Sequence, residues 1–285
     1  MSKKKLQLVF ILSIVILGGV LWSLKKDDEV KVVDVSEQVN VTRLASELLT
    51  PNPTQSVTLS EDWQTISNGV SMRAVVYPYN NTQYQLQVVR VDPKQAEFSL
   101  HYEKQGKTVQ QWIENKENTI MINAGFFKEE NAPVGLLFIE GKRLDNHRVA
   151  LENSGLLQMN GHSVEILNLA TTPLPAEKTL QHAVQTYPVL IDHGKVVVQQ
   201  RLVKQARRTA IGVDKDKNVY LITANYPHLG LYDFAKVLQD STLSLTKVLN
   251  LDGGGSTGIA IKTTNFQKTT NSETPVPTVL QIKLK

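Results

Sequence analysis

The chain has no cysteine. That excludes disulfides, thiolate nucleophiles and Cys-ligated zinc, and it suits a protein working outside the cytoplasm without oxidative mispairing. Strong charge is also missing. The formal net charge is +4 over 285 residues. Lys3, Lys4, Lys5, Lys25 and Lys26 flank an N-terminal apolar run and, partly offset by Asp27, Asp28 and Glu29, inflate that balance. The remainder is close to neutral, so no nucleic-acid partner is implied. Metal-ligand spacing is absent too: the six histidines show no HExxH-like pattern. His101, His162 and His182 read as surface or satisfied residues, while His147 and His228 lie in loops near candidate motifs. Aromatic residues are few, at 6%, but a hydrophobic content of 41% is enough for a globular body. The length allows one large domain or two small ones.

One long apolar run is present. Residues 6–24 read LQLVFILSIVILGGVLWSL without a charge, and nineteen residues at 1.5 Å each nearly span a hydrocarbon core of ~30 Å. A cleaved signal peptide would have a shorter apolar region and a small-residue cleavage site. Trp22-Ser23-Leu24-Lys25-Lys26 follows instead, which favours an uncleaved signal anchor. The Lys cluster before it sets the N-terminus inside and the body outside the cell membrane. The expected organisation is a basic cytoplasmic tail (1–5), a transmembrane signal anchor (6–24), a stalk (25–58) and one domain (59–285). The stalk has a candidate short helix at 41–49 and ends near the breaker Thr50-Pro51-Asn52-Pro53-Thr54.

From Val70 onward the pattern is mostly strand. Val70–Val76 and Tyr84–Val91 alternate and read as a hairpin. Phe98–Tyr102 is a short strand and Thr108–Lys116 a helix with Val109, Trp112 and Ile113 on one face. Leu156–Met159 and Val164–Leu169 pair through Asn160-Gly161, a hairpin signal. Val219–Ala224 is a strand, Leu229–Leu238 the clearest helix, Thr263–Thr274 a polar loop and Val276–Leu284 a closing strand. The fold class is therefore α+β: a mixed, mostly antiparallel sheet system with a few helices, in a single domain behind the N-terminal transmembrane helix.

Two junctions carry chemistry. In Val248-Leu249-Asn250-Leu251-Asp252-Gly253-Gly254-Gly255-Ser256-Thr257 an apolar strand ends on one carboxylate, followed by three glycines. Three consecutive glycines cost backbone entropy of order 1 kcal/mol each relative to alanine. Such a run is placed where the backbone takes positive φ or a ligand approaches closely, and the amides of Gly253, Gly254 and Gly255 could cradle an anion. Asp252 could bind a metal, act as acid or base, or orient a sugar hydroxyl; the plainer alternative is a Gly-rich turn. At Asn123-Ala124-Gly125-Phe126-Phe127 a polar residue closes a buried strand. Asn123 either presents its amide to a ligand or caps a backbone turn. Arg208, just ahead of the apolar Thr209–Val213, is either a surface arginine or a bidentate phosphate clamp.

Five segments in order resemble one family: Asn123-Ala124-Gly125-Phe126-Phe127, Pro133-Val134-Gly135, Tyr187-Pro188-Val189-Leu190-Ile191-Asp192-His193-Gly194-Lys195, Arg208-Thr209-Ala210-Ile211-Gly212, and Asn250-Leu251-Asp252-Gly253-Gly254-Gly255-Ser256. This is the phosphodiester glycosidase domain family, and the resemblance spans roughly residues 70–284. It implies hydrolysis of a glycosyl phosphodiester. Asp252 is then the carboxylate near the anomeric carbon, as base or oxocarbenium stabiliser. Arg208 and the amides of Gly253, Gly254 and Gly255 hold the phosphate as charge grows on it. Asn123 and Gly125 position substrate, Ser256 donates to phosphate or supports the loop, and His228 lines the site. A divalent cation on Asp252 is compatible, although no cluster demands one. The chain departs from the family's pattern at Ala224-Asn225-Tyr226-Pro227-His228, where an Asp-Gly pair and a basic residue are common. It departs again at Thr257 and at Glu273-Thr274. The substrate implied for a stalked extracytoplasmic domain is a sugar phosphodiester or a phosphate-containing envelope polymer. The rival reading is a non-catalytic envelope module that binds anionic glycans with the same loop; a third is a membrane-tethered scaffold.

Overall fold

The computed structural model describes residues 60–79, 81–145, 154–200 and 204–285, all within one compact unit, Val57–Lys285. The expected tail, membrane span and stalk (1–58), and His147, lie outside the described residues, as does the side chain of His228. Among the described residues no helix is long and apolar enough to cross a membrane.

The strands in chain order are β1 (Gln64–Ser67), β2 (Val70–Tyr79), β3 (Thr82–Val91), β4 (Ala96–Lys107), β5 (Thr119–Asn123), β6 (Leu137–Ile139), β7 (Lys142–Arg143), β8 (Gly155–Asn160), β9 (Ser163–Asn168), β10 (His182–Thr186), β11 (Val189–Asp192), β12 (Lys195–Val196), β13 (Ala206–Asp214), β14 (Val219–Leu229), β15 (Leu245–Asn250), β16 (Ile259–Lys262), β17 (Gln267–Thr270) and β18 (Val276–Leu284). Among the described residues two α-helices join them, α1 (Val109–Ile113) and α2 (Leu231–Asp240). An eight-stranded sheet runs β1-β2-β3-β14-β13-β15-β11-β12, and two five-stranded sheets run β7-β6-β10-β8-β9 and β17-β16-β5-β18-β4. The expected α+β class holds. The sheets are purely antiparallel rather than mixed, since every pairing among the described residues is antiparallel.

Alternation decides which face each strand buries. Ile211 and Val213 of β13, Leu249 of β15, Val89 and Val91 of β3, and Ile120 and Ile122 of β5 meet in one core between sheets. The opposite face of the eight-stranded sheet, with Val88, Ala210, Ile222 and Val248, is covered by α2 through Phe234, Ala235 and Leu238. Phe234 is completely buried, and truncating such a side chain to alanine costs about 3–5 kcal/mol.

Three expectations shift at their edges. The first helix is one turn long: Thr108 and Gln111 form a reciprocal capping box at its start, and Asn115, at φ 58°, stops it early. Leu229 stays in β14, and Gly230 caps α2 with extended geometry. The polar stretch 263–274 contains β17, paired to β16 at the edge of its sheet. An edge strand with alternately exposed residues lacks the apolar face that sequence patterning detects.

Candidate active site

β15 belongs to the eight-stranded sheet and β16 to a five-stranded one, so residues 251–258 carry the chain from one sheet to the other. The Gly-rich stretch is this crossing. Gly254, at φ +62°, heads a 3-10 turn over Gly254–Ser256, closed by Ser256 N donating to Gly253 O at 3.2 Å and Thr257 N to Gly254 O at 3.1 Å. The need for glycine differs along it. A Cβ on Gly253 would sit 2.7 Å from the Arg207 carbonyl oxygen, whereas one on Gly254 would meet nothing within 4 Å. Close backbone packing requires the first glycine and positive φ favours the second.

Asn123, at the end of β5, stitches the crossing together. Its Nδ2 donates to the Asp252 carbonyl at 2.6 Å. Its Oδ1 accepts from Gly258 N at 3.0 Å and from Thr209 Oγ1 at 2.9 Å. Asp252 N donates to Ala124 O at 2.9 Å, and Ala124 N to Thr278 O at 3.1 Å. Asn123 is 1% exposed. Both lone pairs of its side-chain oxygen are engaged within the protein, so the geometry gives it a positioning role beneath the loop.

Asp252 is the chemical centre. Gly253 N donates to its Oδ1 at 2.9 Å, and the buried Ser256 hydroxyl also hydrogen-bonds the carboxylate. Burial pushes the Asp252 carboxyl up to about 6, outweighing those two donors, which hold it down. A carboxyl titrating there can exchange protons near neutrality. The Gly253 amide serves this carboxylate. The Gly254 and Gly255 amides stand at the start of the 3-10 turn, where the turn itself supplies no acceptor.

Arg208 is 9% exposed, so it is not a surface arginine. Its Nε donates to Leu229 O at 2.9 Å and its Nη2 to Lys204 O, and burial lowers its pKa from the ordinary value. β13 pairs β15 with Ala210 opposite Asn250, and Leu251 N donates to Thr209 O at 2.9 Å. At Asp252 the chain has turned away from β13, its N donating to Ala124 O at 2.9 Å, and the Arg208 guanidinium is spent on the Leu229 and Lys204 carbonyls. Gly125 is explained by packing, because a Cβ there would lie 2.8 Å from Val184 Cγ2. His228 is on β14.

Sequence reasoning gave no role to Arg207, Thr209, Thr257 or Asn250. Alternation along β13 directs Arg207 and Thr209 to the side opposite Arg208. There Thr209 Oγ1 lies 3.3 Å from Thr257 Oγ1. Arg207 Nη2 donates to Thr257 O at 2.8 Å, and its Nη1 pairs with Glu273 at 2.7 Å. Glu273 N in turn donates to Gly255 O at 2.8 Å. Arg207 and the Glu273 segment thus staple the outer edge of the Gly-rich crossing, which accounts for Glu273 at a position where the family pattern differs. Asn250 Nδ2 donates to Tyr187 O at 2.8 Å, while its Oδ1 is buried without a partner. The period-two signal for Arg207 and Thr209 was in the sequence; Asn250 stood in the family motif with nothing local to show its partner, Tyr187 O.

Among the described residues no group of three His, Asp or Glu side chains is placed to hold a metal ion. A cation at Asp252 would have one carboxylate, with hydroxyl and carbonyl oxygens for its other ligands.

The comparisons with known proteins agree with this architecture. A family model described as phosphodiester glycosidase matches residues 116–283. The fold is similar to that of the zebrafish N-acetylglucosamine-1-phosphodiester alpha-N-acetylglucosaminidase catalytic domain, auto-inhibited by its pro-peptide. That likeness has a TM-score of 0.58 at 15% identity and covers 80% of this chain and 87% of that one. It is also similar to a hypothetical protein from Synechocystis, with a TM-score of 0.57, 15% identity and 81% of this chain covered. This chain spans 65% of that protein's length. No curated protein sequence matches.

Proposed function

Because the chain belongs to the phosphodiester glycosidase family, we propose that it is a hydrolase that removes the sugar from a glycosyl phosphodiester. The observation that carries this reading is Asp252: one half-buried carboxylate, raised to about 6 by desolvation, on a crossing held rigid by Asn123, Thr209 and Arg207. In the proposed reaction the bond between the anomeric carbon and the phosphate oxygen breaks, and its electron pair leaves with the phosphate. Water forms the new bond to the anomeric carbon and gives its proton to the Asp252 carboxylate. In this reading Arg208 supplies positive charge, and the Gly254 and Gly255 amides supply donors, for the charge developing on phosphate. Phosphate is already a good leaving group, so little acid assistance is needed.

We place the domain outside the cell membrane, tethered by residues 6–24, where envelope polymers with sugar–phosphate linkages are the substrates within reach. That placement rests on the apolar run, its Lys flank and the lack of cysteine. The test is sugar release by the intact chain from UDP-N-acetylglucosamine and from isolated envelope polymer, with and without divalent cation, beside Asp252→Asn. Release that disappears in the variant supports the hydrolase. Polymer retained by both proteins with no release supports the anionic-glycan binding module instead.

A further inference from the structure

β4 is the outermost strand of its sheet, and an uncovered strand edge is a liability that a fold must cap. Residues of an antiparallel strand turn their backbone groups alternately toward and away from the partner, so Ala96, Phe98 and Leu100 face outward together. Each is met by the sheet that contains β8, β9 and β10. His162 Nδ1 bonds the Ala96 carbonyl, Phe98 N donates to Gly161 O at 2.9 Å, and Leu100 N donates to His182 Nδ1 at 3.2 Å. A proton acts differently on the two imidazoles. A carbonyl only accepts, so His162 Nδ1 carries a hydrogen and donates, and it still donates when the ring is charged. A backbone N–H only donates, so His182 Nδ1 is the bare nitrogen and the ring hydrogen is on Nε2. Protonating His182 puts a hydrogen on Nδ1 facing the Leu100 N–H, and that bond is lost. The surroundings favour the neutral ring. His182 is half-buried, and burial lowers its pKa from the ordinary 6.5, against the pull of Glu140 in the turn after β6. On β4, His101 lies with its Nε2 3.1 Å from Ser99 Oγ; burial, Lys116 beyond α1 and His182 lower its pKa, and Glu140 raises it. β8 sets the apolar Met159 opposite His182.

We propose that His182 is an acid-sensitive latch between the two sheets: neutral, it holds β10 against the free edge of β4, and protonated, it releases that edge. The latch sits on a strand that runs to the site. Val184, two residues on, is the side chain that a Cβ on Gly125 would meet at 2.8 Å. At the far end of β10, Thr186 Oγ1 donates to Asn250 O at 2.7 Å, just ahead of Asp252. Because the folded pKa of His182 lies below the unfolded one, the stability that the latch contributes is complete above about pH 6.5 and is lost as pH falls from there through the folded value. The latch is independent of the hydrolase reading.

Hydrogen exchange of the intact chain, resolved to single amides at pH 7.5 and pH 5, tests the latch. The protection of Leu100 N, corrected for the intrinsic exchange rate, should fall about tenfold at the lower pH, while the amides of β5, at the centre of its sheet, keep theirs. His182→Gln still offers Leu100 N an acceptor and cannot titrate, so it should hold that protection at pH 5. His162→Gln should show the same fall as the wild type. Between the two pH values the thermal midpoint of the wild type should drop further than that of His182→Gln, a difference in which the titration of every other group cancels. Ring nitrogen shifts at pH 7.5 should show His182 as the Nε2–H tautomer. Equal Leu100 protection at both pH values in the wild type, an equal fall in His182→Gln, or an Nδ1–H tautomer of His182 overturns the latch. None of these readouts needs turnover, so the latch and the hydrolase fail separately.

Discussion

Replacing Asp252 by asparagine tests both the chemistry and the physics of the site. The side chain keeps its shape, and its Oδ1 can still accept from Gly253 N, so the crossing should remain folded. A base in this position must be ionised. With its carboxyl at about 6, Asp252 is about one-tenth ionised at pH 5 and about nine-tenths at pH 7. The kcat/KM of the wild type should therefore rise about tenfold between pH 5 and pH 7. In the variant, turnover should fall by about 10²–10⁴ and lose that dependence. Stability should move the other way. The folded carboxyl titrates near 6 and the ordinary one near 3.8. Below 3.8 both folded and unfolded states are protonated and burial costs nothing extra. Between these values the unfolded state ionises first, and above 6 the full cost is present. Its upper bound is about 3 kcal/mol. Asp252→Asn should thus raise the thermal midpoint at pH 7 by several degrees, at about 2–4 °C per kcal/mol for a domain of this size, and leave it nearly unchanged at pH 3.5. Calorimetry at both pH values and a pH–rate profile measure all of this. A flat profile, or the same change in midpoint at pH 3.5 and pH 7, refutes the assignment of a desolvated, ionising Asp252.

Other perturbations separate the parts of the site. Gly253→Ala brings a Cβ to 2.7 Å from the Arg207 carbonyl and should cost about 1–3 kcal/mol by overpacking, with turnover lost; Gly254→Ala, in open space at φ +62°, should cost about 1 kcal/mol, and denaturant melts of the pair measure the difference. Asn123→Ala strands the Gly258 amide and the Asp252 carbonyl, so a loss of about 2–4 kcal/mol is expected, and kcat should fall more than KM rises if Asn123 positions Asp252 rather than touching substrate. Arg208→Ala should also destabilise by about 2–4 kcal/mol, because two charged hydrogen bonds to carbonyls disappear; a phosphate role adds a rise in KM for phosphodiesters that Arg207→Ala does not reproduce.

Much of the domain was legible from local pattern. Alternation in Val70–Val76 and Tyr84–Val91 is the β2–β3 hairpin, Asn160-Gly161 opens the turn between β8 and β9, whose two loop residues are Gly161, at φ +60°, and His162, and the glycines after Asp252 mark the crossing between sheets. These signals are short-range: a strand's period, a turn's positive φ and a glycine's entropy are properties of neighbouring residues. The sequence likewise determined that thiol chemistry is excluded and that a carboxylate stands beside the Gly-rich loop. Only the tertiary structure decided how that carboxylate is held. The partners of Asn123 are 86, 129 and 135 residues away, and the raised pKa of Asp252 comes from desolvation at a crossing between two sheets. The alternation that set Arg207 and Arg208 on opposite faces was visible, but which of them reached the Gly-rich crossing depended on how β13 packs against it, and there Arg207 bonds Thr257 O. Register is a long-range pairing, and desolvation depends on everything that surrounds a group, so neither can be read from the residues on either side.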